Sequence, residues 1–251
     1  QNTVQFGNMV KREIINPSRS FFLLGPRQTG KSTWLKSLKL KNSWMINLLL
    51  NDTYYRYLRK PSQFRLEAAQ KISKGIEWII VDEIQRIPEL LNEVHNLLEE
   101  TNVKFILSGS SARKLKRSGA NMLGGRALRR HLHPFTVNEI NQSKETAPFN
   151  LEKALIWGTL PPLHNLSEAD ARETLKAYVE TYLREEIQLE SLVRNLGGFT
   201  RFLDIAAAYS GDIANYTSLG KEAGIPTRTV QSYFEVLEDT LVAIRLPAWR
   251  K

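Results

Sequence analysis

The 251-residue sequence predicts an α/β fold, a parallel sheet covered by helices, with a phosphate-binding loop after the first strand. Two observations predict it. The first is Gly25-Pro26-Arg27-Gln28-Thr29-Gly30-Lys31-Ser32, a G-x-x-x-x-G-K-S run. It follows the apolar Phe21-Phe22-Leu23-Leu24 and precedes the helical stretch Thr33-Trp34-Leu35-Lys36-Ser37-Leu38, which is the context such a loop needs. The second is alternation: short, continuously apolar runs separated by segments of helical spacing, the pattern of strands buried on both faces.

Taken in order, Val10 to Ile15 read as a lead-in helix closed by Asn16-Pro17, then the strand Phe21–Leu24 and a helix to about Leu40. Trp44 to Leu48 form a second short apolar run. Tyr54 to Leu58 and Gln63 to Ser73 look helical, with Pro61 punctuating between them. Trp78-Ile79-Ile80-Val81 is a third strand ending in Asp82-Glu83. Leu90, Leu91, Val94, Leu97 and Leu98 recur at helical spacing, and Val103 to Leu107 is a strand that lands on Ser108-Gly109-Ser110-Ser111. These elements are grouped as a nucleotide-binding core over 1–145. A helical segment is expected over 146–198, interrupted at Gly158-Thr159-Leu160-Pro161-Pro162 and containing a long helix from about Glu168 to Val193. Over 199–251 the order is helix, Gly224 turn, a helix from Arg228 to Asp239 and a strand-like Leu241 to Leu246, a winged-helix pattern.

The loop defines the chemistry. Its glycines let the main chain wrap an anion and aim amides inward, so Gly25, Pro26, Arg27, Gln28, Thr29, Gly30, Lys31, Ser32 and Thr33 are the candidate nucleotide-binding residues. Lys31 is expected to reach the β- and γ-phosphates, and the Ser32 hydroxyl to ligate Mg²⁺. Ligands gather at the C-terminal ends of parallel strands, where Asp82 and Glu83 stand. Asp82 is expected to hold Mg²⁺ through its water shell and Glu83 to accept a proton from, or orient, the attacking water. The competing reading is two acids that open a loop and cap a helix. Ser108 and Ser110 end the next strand, where a small hydroxyl meets the γ-phosphate or the water, or serves the turn alone.

The net charge is +9, with 42% apolar and 24% charged residues, and there is no cysteine. Residues 1–150 carry 24 Lys and Arg against 12 Asp and Glu; residues 151–200 are net −3 and residues 201–251 neutral. Arg113, Lys114, Lys116, Arg117, Arg126, Arg129 and Arg130 fall between 111 and 131 without one acid. Three readings of that stretch stay open. One is an arginine, with Arg126 the candidate, that senses the γ-phosphate in the same chain or across a homo-oligomer interface. Another is contact with DNA phosphates, and the third is a solvated loop. DNA could also meet the winged helix through Gln231, Ser232 and Tyr233, although that module is neutral. Without cysteine, a signal peptide or a membrane-length apolar run, a cytoplasmic protein is expected.

The ordered motifs resemble the AAA-type ATPases of bacteria and archaea that carry a C-terminal domain of unknown function. The likeness runs through the phosphate loop, Ile80-Val81-Asp82-Glu83-Ile84-Gln85 and Phe105-Ile106-Leu107-Ser108-Gly109-Ser110-Ser111. It continues in Leu123-Gly124-Gly125-Arg126, His133-Pro134-Phe135-Thr136, Gly158-Thr159-Leu160-Pro161 and Tyr178-Val179-Glu180-Thr181-Tyr182. The resemblance implies an AAA-like core, a helical segment, a winged helix and ATP as the nucleotide. It also implies a nuclease-like region beginning about where these residues stop. The function expected is an Mg²⁺-dependent ATP-hydrolysing switch; an ATP-regulated DNA-binding protein and a non-hydrolysing, ATP-gated scaffold are the alternatives.

Overall fold

The computed structural model describes residues 10–15, 17–110, 122–144, 146–183 and 196–248. They form two compact units divided between Leu175 and Lys176.

The first unit is built on five strands: β1 (Phe21–Leu24), β2 (Ser43–Asn47), β3 (Trp78–Asp82), β4 (Lys104–Gly109) and β5 (Leu128–His131). All neighbouring pairs are parallel, in the order β2-β3-β4-β1-β5. β1 and β3 are buried at every residue, as two covered faces require. On one face Phe21, Leu23, Ile80 and Ile106 pack with Trp34 and Leu35 of α1 (Lys31–Ser37). On the other, Trp44 of β2 stacks on Phe64 of α3 (Pro61–Ser73), which also meets Tyr57 of α2 (Asn51–Arg59) edge to face. Pro61 opens α3 at its first turn, where a missing N–H costs nothing. α4 (Leu90–Glu100) buries Leu90, Leu91, Val94 and Leu97, the spacing read from the sequence. The unit continues into α5 (Val137–Gln142), α6 (Leu151–Trp157) and the start of α7 (Glu168–Ala177).

Two expectations for this unit are corrected. Val10–Ile15 is not a helix: the Glu13 N–H donates to the Glu139 carboxylate at 2.8 Å, far along the chain, so no helical ladder forms. β5 was not anticipated, because Leu128-Arg129-Arg130-His131 is mostly exposed and polar at the sheet's edge. The basic residues 111–121 lie outside the described residues.

In the second unit a π-helical turn (Tyr178–Leu183) follows α7, and the rest of the expected long helix lies outside the described residues. α8 (Leu196–Ala208), α9 (Tyr216–Ala223) and α10 (Thr227–Asp239) enclose Phe199, Phe202, Leu219, Val230 and Tyr233. Asn215 caps α9 by accepting the N–H groups of Thr217 and Ser218, and Gly224 ends it in the left-handed conformation. The expected wing strand Leu241–Leu246 is not a strand among the described residues. Leu241 is itself left-handed, and the N–H groups of Val242 and Ala243 donate back to Leu237 O at the end of α10.

Candidate functional site

Every strand of the parallel sheet opens at the same edge, so the residues after β1, β3 and β4 meet there. The loop after β1 turns through left-handed Gln28 (φ 64°) and Gly30 (φ 88°). Gly25 is required for a different reason: a Cβ there would stand 2.2 Å from Leu132 O, the carbonyl that leaves β5. Thr29 is fully buried and its hydroxyl donates to Pro26 O at 2.8 Å, bracing the loop across itself. Lys31, also buried, donates from Nζ to Gly25 O (2.7 Å) and Pro26 O (2.9 Å), keeping its ammonium within the loop's curve. Ser32 is partly accessible and Thr33 exposed, both on α1's first turn.

Lys31 and Asp82 stand at one edge of the sheet. β4 alone separates β1 from β3, which sets those strands about 10 Å apart. Asp82 is 1% exposed; its Oδ1 accepts the Ser108 hydroxyl, while Oδ2 is buried with no hydrogen-bond partner among the described residues. The Ser108 Oγ accepts the Glu83 N–H at 3.2 Å. Glu83 takes a left-handed backbone (φ 63°), a conformation that costs on the order of 1–3 kcal/mol for a residue with a side chain and that gathers at functional sites. Its Oε2 accepts the Gln85 amide, which also donates to Ser110 Oγ at 3.0 Å. Ser108 and Ser110 are therefore in contact with the residues around the two acids.

Arg12 is the residue that sequence reasoning missed. Its guanidinium donates from Nε to Glu139 (2.9 Å), from Nη1 to Thr29 O of the loop (2.7 Å) and from Nη2 to His133 O beyond β5 (2.6 Å), and it lies over the Phe135 ring at 4.9 Å. Both members of the Arg12–Glu139 pair are buried, with 7% and 3% of their side-chain surface exposed. Glu139 is locked in turn by the capping box with Thr136 that opens α5. That signal, Thr136-x-x-Glu139, was legible in the sequence; its distant partner was not. Beside the loop, His131 and His133 stack at 5.9 Å, and burial, then His133 and Arg129, hold the His131 pKa below the ordinary imidazole value. A cavity of about 720 Å³ opens against Gly30 and Thr33, walled by Arg12, Ile14, Trp34 and Phe135.

Arg126, the candidate sensor, is placed away from the loop. Leu128 N donates to Ser20 O just before β1, so Arg126 stands near the strands' starting edge, opposite the loop. There it pairs with Glu99 at 2.7 Å, at the end of α4.

The sheet and its loop have the fold of an α/β P-loop NTPase. Residues 17–141 match the family described as AAA domain, and residues 148–251 match a domain of unknown function (DUF8612). No curated protein matches the chain. Among solved structures, it is similar to the Aeropyrum pernix ORC2 protein in its ADPNP–ADP complexes, at 12% identity and TM-score 0.43 over 90% of this chain and 89% of that one. It is similar also to the replication initiator DnaA bound to AMPPCP and single-stranded DNA, at 11% identity and TM-score 0.36 over 88% and 82%. The Aeropyrum pernix ORC1 protein in complex with DNA aligns at 14% identity and TM-score 0.34 over 90% and 79%.

Proposed function

We propose that the first unit binds ATP with Mg²⁺ and hydrolyses its β–γ bond, acting as a nucleotide-driven switch. One observation carries this reading: a phosphate loop and a buried carboxylate with an unmet oxygen share one edge of a parallel sheet, a single strand apart. Loop amides and Lys31 hold the phosphates, the lysine exchanging the carbonyls of Gly25 and Pro26 for phosphate oxygens. The cavity beside Gly30 and Thr33 is of a size for the nucleoside.

Ser32 and Asp82 fit Mg²⁺, since a hydroxyl and one carboxylate suffice when phosphates and water complete the shell. The fit rests on the buried, unpartnered Oδ2 of Asp82. When bound, the metal draws off charge building on the phosphate oxygens. Among the described residues no three His, Cys, Asp or Glu cluster, so the site is not an all-protein cage. Glu83 accepts the proton of the attacking water, and Ser108 fixes Asp82 and the Glu83 N–H to the end of β4, where Ser110 accepts from Gln85. Phosphate release should be measured with ATP and GTP, with and without Mg²⁺. Mg²⁺-dependent release from ATP is expected; nucleotide binding without release would select the scaffold reading. Arg126 retains a sensing role only across an interface between copies of the chain.

A second reading, nucleotide-regulated DNA binding, is favoured by α10. Arg228, Gln231, Ser232 and Glu235 are exposed at helical spacing; Tyr233, expected to face a groove, is instead buried with Val230, Val236 and Leu237. α9 and α10 join through a short turn at Gly224, the arrangement of a helix-turn-helix. The 111–131 stretch is the other candidate surface. Fluorescence anisotropy against duplex DNA at two salt concentrations tests both; salt-sensitive binding at micromolar protein is expected, and its absence removes this reading. No helix among the described residues is long and apolar enough to cross a membrane.

A further inference from the structure

We infer that Gln85 is a positioning residue for Glu83: its carboxamide fastens the catalytic carboxylate to the end of β4 through Ser110. The inference rests on the ATPase reading above and extends it to a residue with no role there.

Gln85 is 5% exposed and lies in the short 3-10 turn Ile84–Arg86 that follows Glu83. One nitrogen, Nε2, donates both to Glu83 Oε2 and to Ser110 Oγ, so a single amide spans the two strand ends. Its Oε1 is buried without a hydrogen-bond partner among the described residues, set against Gly109, where an added Cβ would come within 2.8 Å of it. An amide that leaves its acceptor unmet is oriented by its donors. Glycine at 109 gives that oxygen its room, so β4 and Gln85 are fitted to one another.

The consequence for Glu83 is geometric. Its backbone is pinned by the N–H donated to Ser108 and by the left-handed turn, and its carboxylate by Gln85. Side-chain and main-chain anchors both lead to β4, the strand between the two acids and the phosphate loop. A general base works only when held in reach of the proton it takes, so loosening the carboxylate should slow chemistry and leave binding alone.

The test uses the full chain with Gln85→Leu, which keeps much of the volume and removes the donor, and Gln85→Asn, which keeps an amide too short to span both oxygens. Turnover of ATP, equilibrium affinity for a fluorescent ATP analogue and thermal unfolding are read for each. The expected result is a fall in kcat of about 10-fold or more, a share of what a general base contributes. Affinity and melting temperature should stay near those of the wild type in at least the Asn variant. A folded variant with wild-type kcat, or one that loses affinity in step with kcat, overturns the inference and leaves the ATPase reading standing. An inert wild-type chain that binds the nucleotide overturns both.

Discussion

Glu83→Gln is expected to bind ATP as the wild type does and to lose turnover on the order of 10²–10⁴-fold, the range a positioned general base supplies. The substitution keeps the side chain's shape and removes its capacity to take a proton. Nothing that holds the nucleotide is touched: Lys31 and Thr29 belong to the loop after β1, and Asp82 keeps its bond from Ser108. The left-handed turn at Glu83 is unaffected, because Gln tolerates that backbone no worse than Glu. Single-turnover phosphate release, set beside equilibrium binding of a fluorescent ATP analogue, separates the two effects. Undiminished turnover would remove Glu83 from the role of base.

The second large effect is on stability. Arg12→Ala should destabilise the first unit by about 3–5 kcal/mol, the usual consequence of removing one partner of a buried pair. Glu139 would be left at 3% side-chain exposure without the guanidinium that pairs with it. Thr29 O and His133 O would lose their donors at the same time. At about 2–4 °C per kcal/mol for a domain of this size, the melting temperature should fall by roughly 6–20 °C. Nucleotide affinity should weaken too, since Arg12 both fastens the phosphate loop and walls the adjoining cavity. The control is Arg12→Met with Glu139→Leu, which removes both charges and should recover only the share due to the unpaired charge, since the carbonyls of Thr29 and His133 and the N–H groups of Glu13 and Thr136 still lose their partners. Calorimetry on the three chains decides it. A loss under about 1 kcal/mol would class the pair with weak surface bridges.

What could be read in advance divides along physical lines. The phosphate loop, β1, β3, β4 and α4 declare themselves locally, because a fully buried strand is continuously apolar and a half-buried helix is apolar at its own period. Asp82 and Glu83 are legible because they interrupt such a strand. β5 is not, since its strand character comes from pairing with β1 and its own residues are Leu128-Arg129-Arg130-His131. Val10 and Ile14 suggest helical spacing, but Arg12 and Glu13 spend their hydrogen bonds on Glu139, Thr29 and His133, and no local pattern foretells a partner 126 residues away. Gln85 stands in plain view after the acids. Its place between Glu83 and Ser110 exists only once β3 and β4 are neighbours. The wing strand expected over Leu241 to Leu246 is the converse case: that run has a strand's composition, but its first N–H groups close onto α10.

The lysine of the loop is already engaged by the carbonyls of Gly25 and Pro26. On the ATPase reading, a triphosphate would have to replace those carbonyls as the partners of the ammonium. Whatever affinity a titration reports is then a difference between two sets of partners for one ammonium, smaller than the phosphate contacts alone would supply.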